Sequence, residues 1–286
     1  MNNKQRIATG VALAVLAWGG TVSATPVTIA DGYHGSNGHG YNDVISSAAQ
    51  YNLFNIDRAE MSLAGSVLTV DIFTGFAGAG DQNLYSGYTN KTASKINGIS
   101  QGIGYGDLFL ASSWSPYGTA PYNGDDNSNG TVWEYGLSFD VSRWSDGPST
   151  VSLYSLSGTN DQNTLLSQDF MSGATYRNGQ EVAVDRASNT VSDTGIDGTF
   201  SVVDGSKVTF TVDLAGTSLW NNWNPLPGAI NSLALHWAMS CANDVIEGEA
   251  SFTNPPPPNT SVPEPAALGL TMLGLAGAAR RRRRAA

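Results

Sequence analysis

The sequence predicts an all-β body, a β-sandwich or jelly-roll-like fold, from three observations. Apolar and polar residues alternate along several runs. Gly, Asn and Asp cluster between those runs. Helical apolar spacing is almost absent, and residues 43–51 are the one short helical candidate.

The runs follow in order. Residues 55–63 come first, then "SVLTVDIFTGF" at 66–76, with Leu68, Val70 and Ile72 on one face and Val67, Thr69, Asp71 and Phe73 on the other. Residues 107–111 form the next short strand. "TVWEYGLSFDV" at 131–141 aligns Trp133, Tyr135, Leu137 and Phe139, and residues 151–156 follow. In "TFSVVDGSKVTFTVDL" at 199–214, Asp204-Gly205 separates two β-branched runs and reads as a hairpin. Residues 233–239 and 249–252 complete the set. Strands of this length with such turns suit a sandwich or jelly roll.

Two stretches, 75–106 and 112–130, resist strand assignment. Both are rich in Gly, Asn, Ser and Tyr, and they carry Tyr85, Tyr88, Trp114, Tyr117 and Tyr122. Loops of that length in a compact domain are usually functional or disordered, and the aromatic residues favour ordered surface loops.

The ends differ from the body. Lys4 and Arg6 precede an apolar run at 7–18, and Val22-Ser23-Ala24 forms a small-x-small site. That pattern is a secretory signal peptide spanning 1–24, a signal helix cleaved after Ala24. Residues 25–253 are the expected β-sandwich body. Residues 254–261 contain four consecutive prolines and read as a Pro-rich, semi-rigid linker. Between Thr25 and Ser261 there are seven Lys and Arg against 23 Asp and Glu, a net charge of −16. An acidic body argues against nucleic acid as a partner. The only cysteine, Cys241, excludes an intramolecular disulfide.

The tail, 262–286, has three parts. Pro263-Glu264-Pro265 comes first. Residues 266–279 then form an uncharged apolar run, and Arg280, Arg281, Arg282, Arg283 and Arg284 end it. Fourteen residues make roughly 21 Å of helix, short of a hydrocarbon core of about 30 Å. A helix that holds the chain only until it is cut can be that short. The arginines stay cytoplasmic under the positive-inside rule and halt export once the body has crossed.

This order resembles the PEP-CTERM sorting signal of Gram-negative bacteria. The resemblance implies processing by an exosortase, a membrane-embedded cysteine transpeptidase-like enzyme. It also implies transient insertion in the inner membrane through the C-terminal helix, then release or transfer to the cell surface or exopolysaccharide matrix. Such tails occur on passengers of many kinds, so the signal is an address and leaves the activity open. A second segment, "LALHWAMSCANDVIEGEASF" at 233–252, resembles the terminal strand region of PEP-CTERM surface proteins with a lectin-like β-sandwich. Its alternation aligns Leu235, Trp237, Met239 and Cys241 as core and turns His236 the other way.

The body carries no Gly-x-Ser-x-Gly elbow, His-Glu-x-x-His, Cys-x-x-Cys or P-loop. "GIGYG" at 102–106 has no helix after it to make a dinucleotide site. His34 and His39 in a glycine loop supply only two ligands of a metal site. A carboxylate pair for glycoside hydrolysis is defined in space, and no sequence pair stands out. The strongest local signal is "DDNSNG" at 125–130. Asp125, Asn127 and Asn129 before Gly130 reproduce the opening of a Ca²⁺ loop, but the closing position is Gly136. The same residues also make an ordinary turn. "DTGIDG" at 193–198 is a poorer version.

The reading is therefore an exported, exosortase-processed surface or matrix protein whose body is a non-catalytic binding or structural module. Candidate ligand-binding residues are Trp114, Tyr117 and Tyr122, with exopolysaccharide as partner and Ca²⁺ as candidate cofactor at Asp125, Asn127 and Asn129. The alternatives are a secreted polysaccharide-active hydrolase and an ice-binding-type surface protein, the latter hinted at only by "TFTV" at 209–212.

Overall fold

The computed structural model describes residues 25–35, 53–80, 103–139, 143–171, 176–223, 226 and 229–253. The twelve strands are β1 (Val27–Ala30), β2 (Ile56–Ala64), β3 (Val67–Thr74), β4 (Leu108–Ala111), β5 (Tyr135–Phe139), β6 (Ser149–Leu156), β7 (Thr164–Leu166), β8 (Glu181–Val184), β9 (Val191–Val203), β10 (Lys207–Asp213), β11 (Ile230–Ala238) and β12 (Val245–Thr253). Single-turn helices α1 (Asn160–Asn163), α2 (Ser167–Phe170) and α3 (Ser218–Asn221) lie between them. The all-β prediction holds.

Ten strands form one antiparallel sheet in the order β1-β2-β3-β10-β9-β6-β5-β4-β11-β12. It is nearly closed. Its two ends meet where Ile29 of β1 lies over Gly248 of β12. A Cβ on Gly248 would come within 2.6 Å of Ile29 Cγ2. The Ile56 backbone N–H adds a 2.6 Å hydrogen bond to Asp244 Oδ2 across the same seam. Near-closure protects edges that would otherwise recruit further strands.

Inside lies the core. Leu68, Val70 and Ile72 of β3, Leu108 and Leu110 of β4, Phe200 of β9, Val208 and Phe210 of β10, and Leu235 and Trp237 of β11 belong to one buried cluster. Burial of each large side chain is worth about 1.5–3 kcal/mol. Alternation predicted the inward face of β3 and β11, with Met239 and Cys241 continuing into the same core. Asp204-Gly205 turns as expected, with Gly205 at φ +61° and Val203 paired to Lys207.

Outside, part of the sheet is covered by a second layer. The hairpin β7-β8 and the 112–134 segment pack on the outer face of β5, β4, β11 and β12. Phe109, Ala111, Trp133, Val184 and Ala234 form a separate cluster there. This corrects one expectation. Trp133 does not line up with Tyr135, Leu137 and Phe139, because the strand starts at Tyr135. Trp133 instead caps the outer face, its backbone N–H donating to Asn160 Oδ1. "DTGIDG" is likewise part of strand β9. Its Gly195, at φ +72°, sits where the β6-β9 register slips between Leu153 and Tyr154.

Asp107, at the start of β4, fastens the two layers. Its Oδ1 accepts from Arg143 Nη2 at 2.8 Å and from the Phe139 N–H at 3.3 Å. Its Oδ2 accepts from the Val184 N–H at 2.8 Å. Both partners of the ion pair are buried. The helical candidate at 43–51 lies outside the described residues.

Candidate functional site

The outer layer encloses a group of ionisable side chains. His236 of β11 and Glu247 of β12 are direct cross-strand partners on the outward face. The spacing is that of a hydrogen bond, 2.9 Å from Nδ1 to Oε2. The other ring nitrogen, Nε2, is 2.8 Å from the backbone carbonyl of Glu181 on β8. A carbonyl oxygen only accepts, so Nε2 carries a hydrogen. Nδ1 faces a carboxylate and donates as well. The geometry is that of an imidazolium paired with a carboxylate, packed under Trp133 at 5.6 Å and Phe109 at 5.9 Å between ring centroids.

Two further carboxylates face this pair. Glu181 Oε1 accepts from Asn160 Nδ2 at 3.0 Å, and the same amide donates to the Thr131 carbonyl at 2.7 Å. Asp125 comes from the loop. It accepts from the Tyr33 hydroxyl and the Tyr117 N–H, while its Oδ2 has no hydrogen-bond partner. Asp125 is 2 % exposed and Tyr33 3 %.

Burial sets the electrostatics. Removal from water, then the charge of Glu247, pushes Asp125 up to about 7. Burial also pushes Glu181 up to about 7, with Glu247 adding and His236 opposing. For His236, burial works toward the neutral form. The hydrogen bond to Glu247 and the charges of Glu181 and Glu247 outweigh it, and the pKa is raised. Burial, followed by the charges of Glu247, Asp125 and Glu181, holds the Tyr33 phenol well above its usual value.

The loop aromatics sit over this cluster. Trp114 Nε1 donates to Glu247 Oε1 at 2.8 Å. Its ring meets Tyr122 edge-on at 5.2 Å, and Tyr122 stacks on Tyr33 at 6.1 Å. Tyr122 takes φ +63° at this contact. Tyr117 stands apart, 57 % exposed. So the three predicted ligand-binding residues share one loop, with Trp114 and Tyr122 half-buried and Tyr117 open to solvent.

The three residues of the Asx turn have separate tasks. Asp125 turns inward to Tyr33. Asn129 Oδ1 accepts from the Asp126 N–H at 3.0 Å and its Nδ2 donates to the Gly124 carbonyl at 3.2 Å. Asn127 Nδ2 donates to Asp161 Oδ1. Among the described residues no group of three or more His, Cys, Asp or Glu could hold a metal ion. Gly130 is needed twice here. It takes φ +79°, and a Cβ on it would lie 1.9 Å from Asp125 Oδ1.

The sequence reading missed His236, Glu247, Glu181 and Tyr33 as a group. The available signal was the outward alternation of His236 beside a strand carrying Glu247. Ala24, His39, Pro263, Glu264, Pro265, Arg280, Arg281, Arg282, Arg283 and Arg284 lie outside the described residues. His34 is described, and its N–H donates to the Pro121 carbonyl at 2.9 Å.

Comparison with protein families decides the tail. The model of the PEP-CTERM protein-sorting motif matches residues 261–284. The chain carries a PEP-CTERM sorting signal. A PEP-CTERM signal implies processing by exosortase, export and membrane-anchored sorting. Comparison with curated proteins and with solved structures gives no match. Among the described residues no helix is long and apolar enough to cross a membrane.

Proposed function

We propose that this exosortase-sorted protein is a non-catalytic binding module of the cell surface or exopolysaccharide matrix of a Gram-negative bacterium. Residues 1–24 direct export and are removed after Ala24. The 25–253 body then crosses the membrane, and the apolar run at 266–279 with its five arginines holds the chain until exosortase acts near Pro263-Glu264-Pro265. The 254–261 linker sets the body apart from that point.

The observation that carries the binding reading is the ordered aromatic loop. Tyr117 offers an exposed ring face, while its neighbours Trp114 and Tyr122 are fixed against the body. Rigid aromatic faces suit the apolar faces of sugar rings at little entropic cost. The test is equilibrium binding of the exported protein to the extracellular polysaccharide of the producing strain. Tyr117→Ala should lower affinity by about tenfold or more, and equal binding by both proteins would remove the loop as the contact.

One observation favours a second reading, a polysaccharide-active hydrolase: buried carboxylates with raised pKa values cluster at catalytic sites. Asp125, Glu181 and Glu247 are each closed off from solvent, which leaves a glycosidic oxygen no approach in this conformation. Release of reducing ends that Glu247→Gln abolishes would establish that reading.

A further inference from the structure

The connection from β10 to β11, residues 214–229, carries two tryptophans three residues apart, Trp220 and Trp223. Helix α3 fixes them. Thr217 caps it, its hydroxyl accepting from the Trp220 backbone N–H at 3.2 Å and donating to the Leu214 carbonyl at 2.7 Å. The Ser218 N–H donates to the Tyr135 hydroxyl at 3.0 Å, and the Trp223 backbone N–H donates to the Trp220 carbonyl at 3.0 Å. Leu219 anchors the turn in the core, and both indoles stay half-buried against it. The rings form a continuous run. Trp220 stacks on Trp223 at 5.5 Å between centroids, and Trp223 meets Phe252 of β12 at 5.8 Å.

That run lies where the chain leaves the body. Ile230, the first residue of β11, is the register partner of Thr253, the last of β12. The next residues are Asn254, Pro255, Pro256, Pro257 and Pro258, which lie outside the described residues. Consecutive prolines favour polyproline II, at about 3.1 Å per residue and without internal hydrogen bonds. Four of them span about 12 Å, the scale of the two centroid steps across Phe252, Trp223 and Trp220. Their rings are apolar and carry no N–H, so stacking on indole strands no donor. Proline-rich segments dock on aromatic-lined grooves for this reason, and a preformed helix loses little entropy in doing so. Pro255 is three residues from Phe252. A tether that short holds it at an effective concentration on the order of millimolar.

We propose that Trp220 and Trp223 are the docking site for prolines 255–258 of the chain's own linker. The docked prolines fix the direction in which the tail leaves the body. Residues 259–262 then remain as the spacer before Pro263-Glu264-Pro265. The sorting motif is thereby presented at a set distance from the body and not on a freely swinging tether. The exported protein keeps these prolines, since the motif follows them. The dock involves the body and the linker alone, so it does not depend on what the 112–130 loop binds.

The test is NMR of the exported protein. Ring protons of prolines 255–258 should lie upfield of their positions in a free 254–258 peptide, through the indole ring current. They should also show nuclear Overhauser contacts to Trp220 and Trp223. Pro255→Ser, Pro256→Ser, Pro257→Ser and Pro258→Ser together should abolish those contacts and move the Trp220 and Trp223 indole N–H signals. The indole signals of Trp133 and Trp237 should stay in place. This variant leaves the body unaltered, so it reads the dock even where Trp220→Ala fails to fold. If Trp220→Ala folds, it should return the proline signals to their free-peptide positions. Proline signals already at those positions in the unaltered protein overturn the dock. So do Trp220 and Trp223 signals that ignore the proline replacement. Signals that move only on adding phosphatidylethanolamine–phosphatidylglycerol vesicles, or the strain's polysaccharide, overturn it too and assign the tryptophans to a membrane or a sugar.

Discussion

Trp114 and Glu247, 133 residues apart in sequence, are joined by a 2.8 Å hydrogen bond from the indole Nε1–H to Oε1. The same carboxylate pairs with His236 through its other oxygen. One side chain thus couples a surface loop to the buried charge pair on β11 and β12. The consequences are measurable.

The pH dependence of stability follows from the raised pKa values. Asp125 and Glu181, both at about 7 when folded, titrate near 4 in the unfolded chain. Between those values the folded protein binds more protons, so stability falls as pH rises. His236, also raised, holds its proton past its ordinary value and adds a loss in the same direction above about pH 6.5. The thermal midpoint should be higher at pH 5 than at pH 8, and Asp125→Asn should reduce the difference. A midpoint that rises from pH 5 to 8 would contradict these assignments.

Glu247→Ala should destabilise the body by about 3–5 kcal/mol, because it leaves the His236 imidazolium buried without its counter-charge. Urea denaturation at pH 6 measures this. Glu247→Gln keeps an acceptor for Trp114 and should cost less.

Asp107→Ala should cost a similar amount, about 3–5 kcal/mol, by stranding Arg143. It also removes the acceptor of the Phe139 and Val184 N–H groups. Since Val184 belongs to β8, loss of exchange protection should be largest in β7-β8, and a change confined to β9-β10 would contradict the assignment.

Tyr117→Ala should leave stability within about 0.5 kcal/mol, as expected for an exposed side chain. Paired with the polysaccharide assay, this makes any loss of binding a local effect.

Millimolar calcium should leave the thermal midpoint where a chelator leaves it. Asn127 uses its side-chain amide on Asp161, Asn129 bonds within the turn, and Asp125 faces Tyr33. A rise of several degrees that Asp125→Ala removes would show that the Asx turn reorganises to hold the ion.

Much of the fold was legible because β3 and β11 obey period-two alternation and Asp204-Gly205 is a strong turn. The outer layer was harder to read. β5 is buried on both faces, so alternation along it does not tell an inner face from an outer one. The strand at 191–198 was hidden because its Gly and Asp residues mimic a turn, where they in fact accommodate a slip in register. The candidate site divides in the same way. Trp114, Tyr117 and Tyr122 are neighbours in sequence and were found as a group. Tyr33, Asp125, Glu181, His236 and Glu247 come from five separated segments, and only the pairing of β11 with β12 and the docking of β8 unite them.

The central claim is that exosortase sorts this chain by its tail, and the most direct measurement is the intact mass of the exported protein. It would be made in the producing strain and in one lacking exosortase. In the first, the mature chain should begin at Thr25 and end near Pro263-Glu264-Pro265, without Arg280, Arg281, Arg282, Arg283 and Arg284. Without exosortase the tail should remain. A surface-located chain that keeps all five arginines in the producing strain would contradict it.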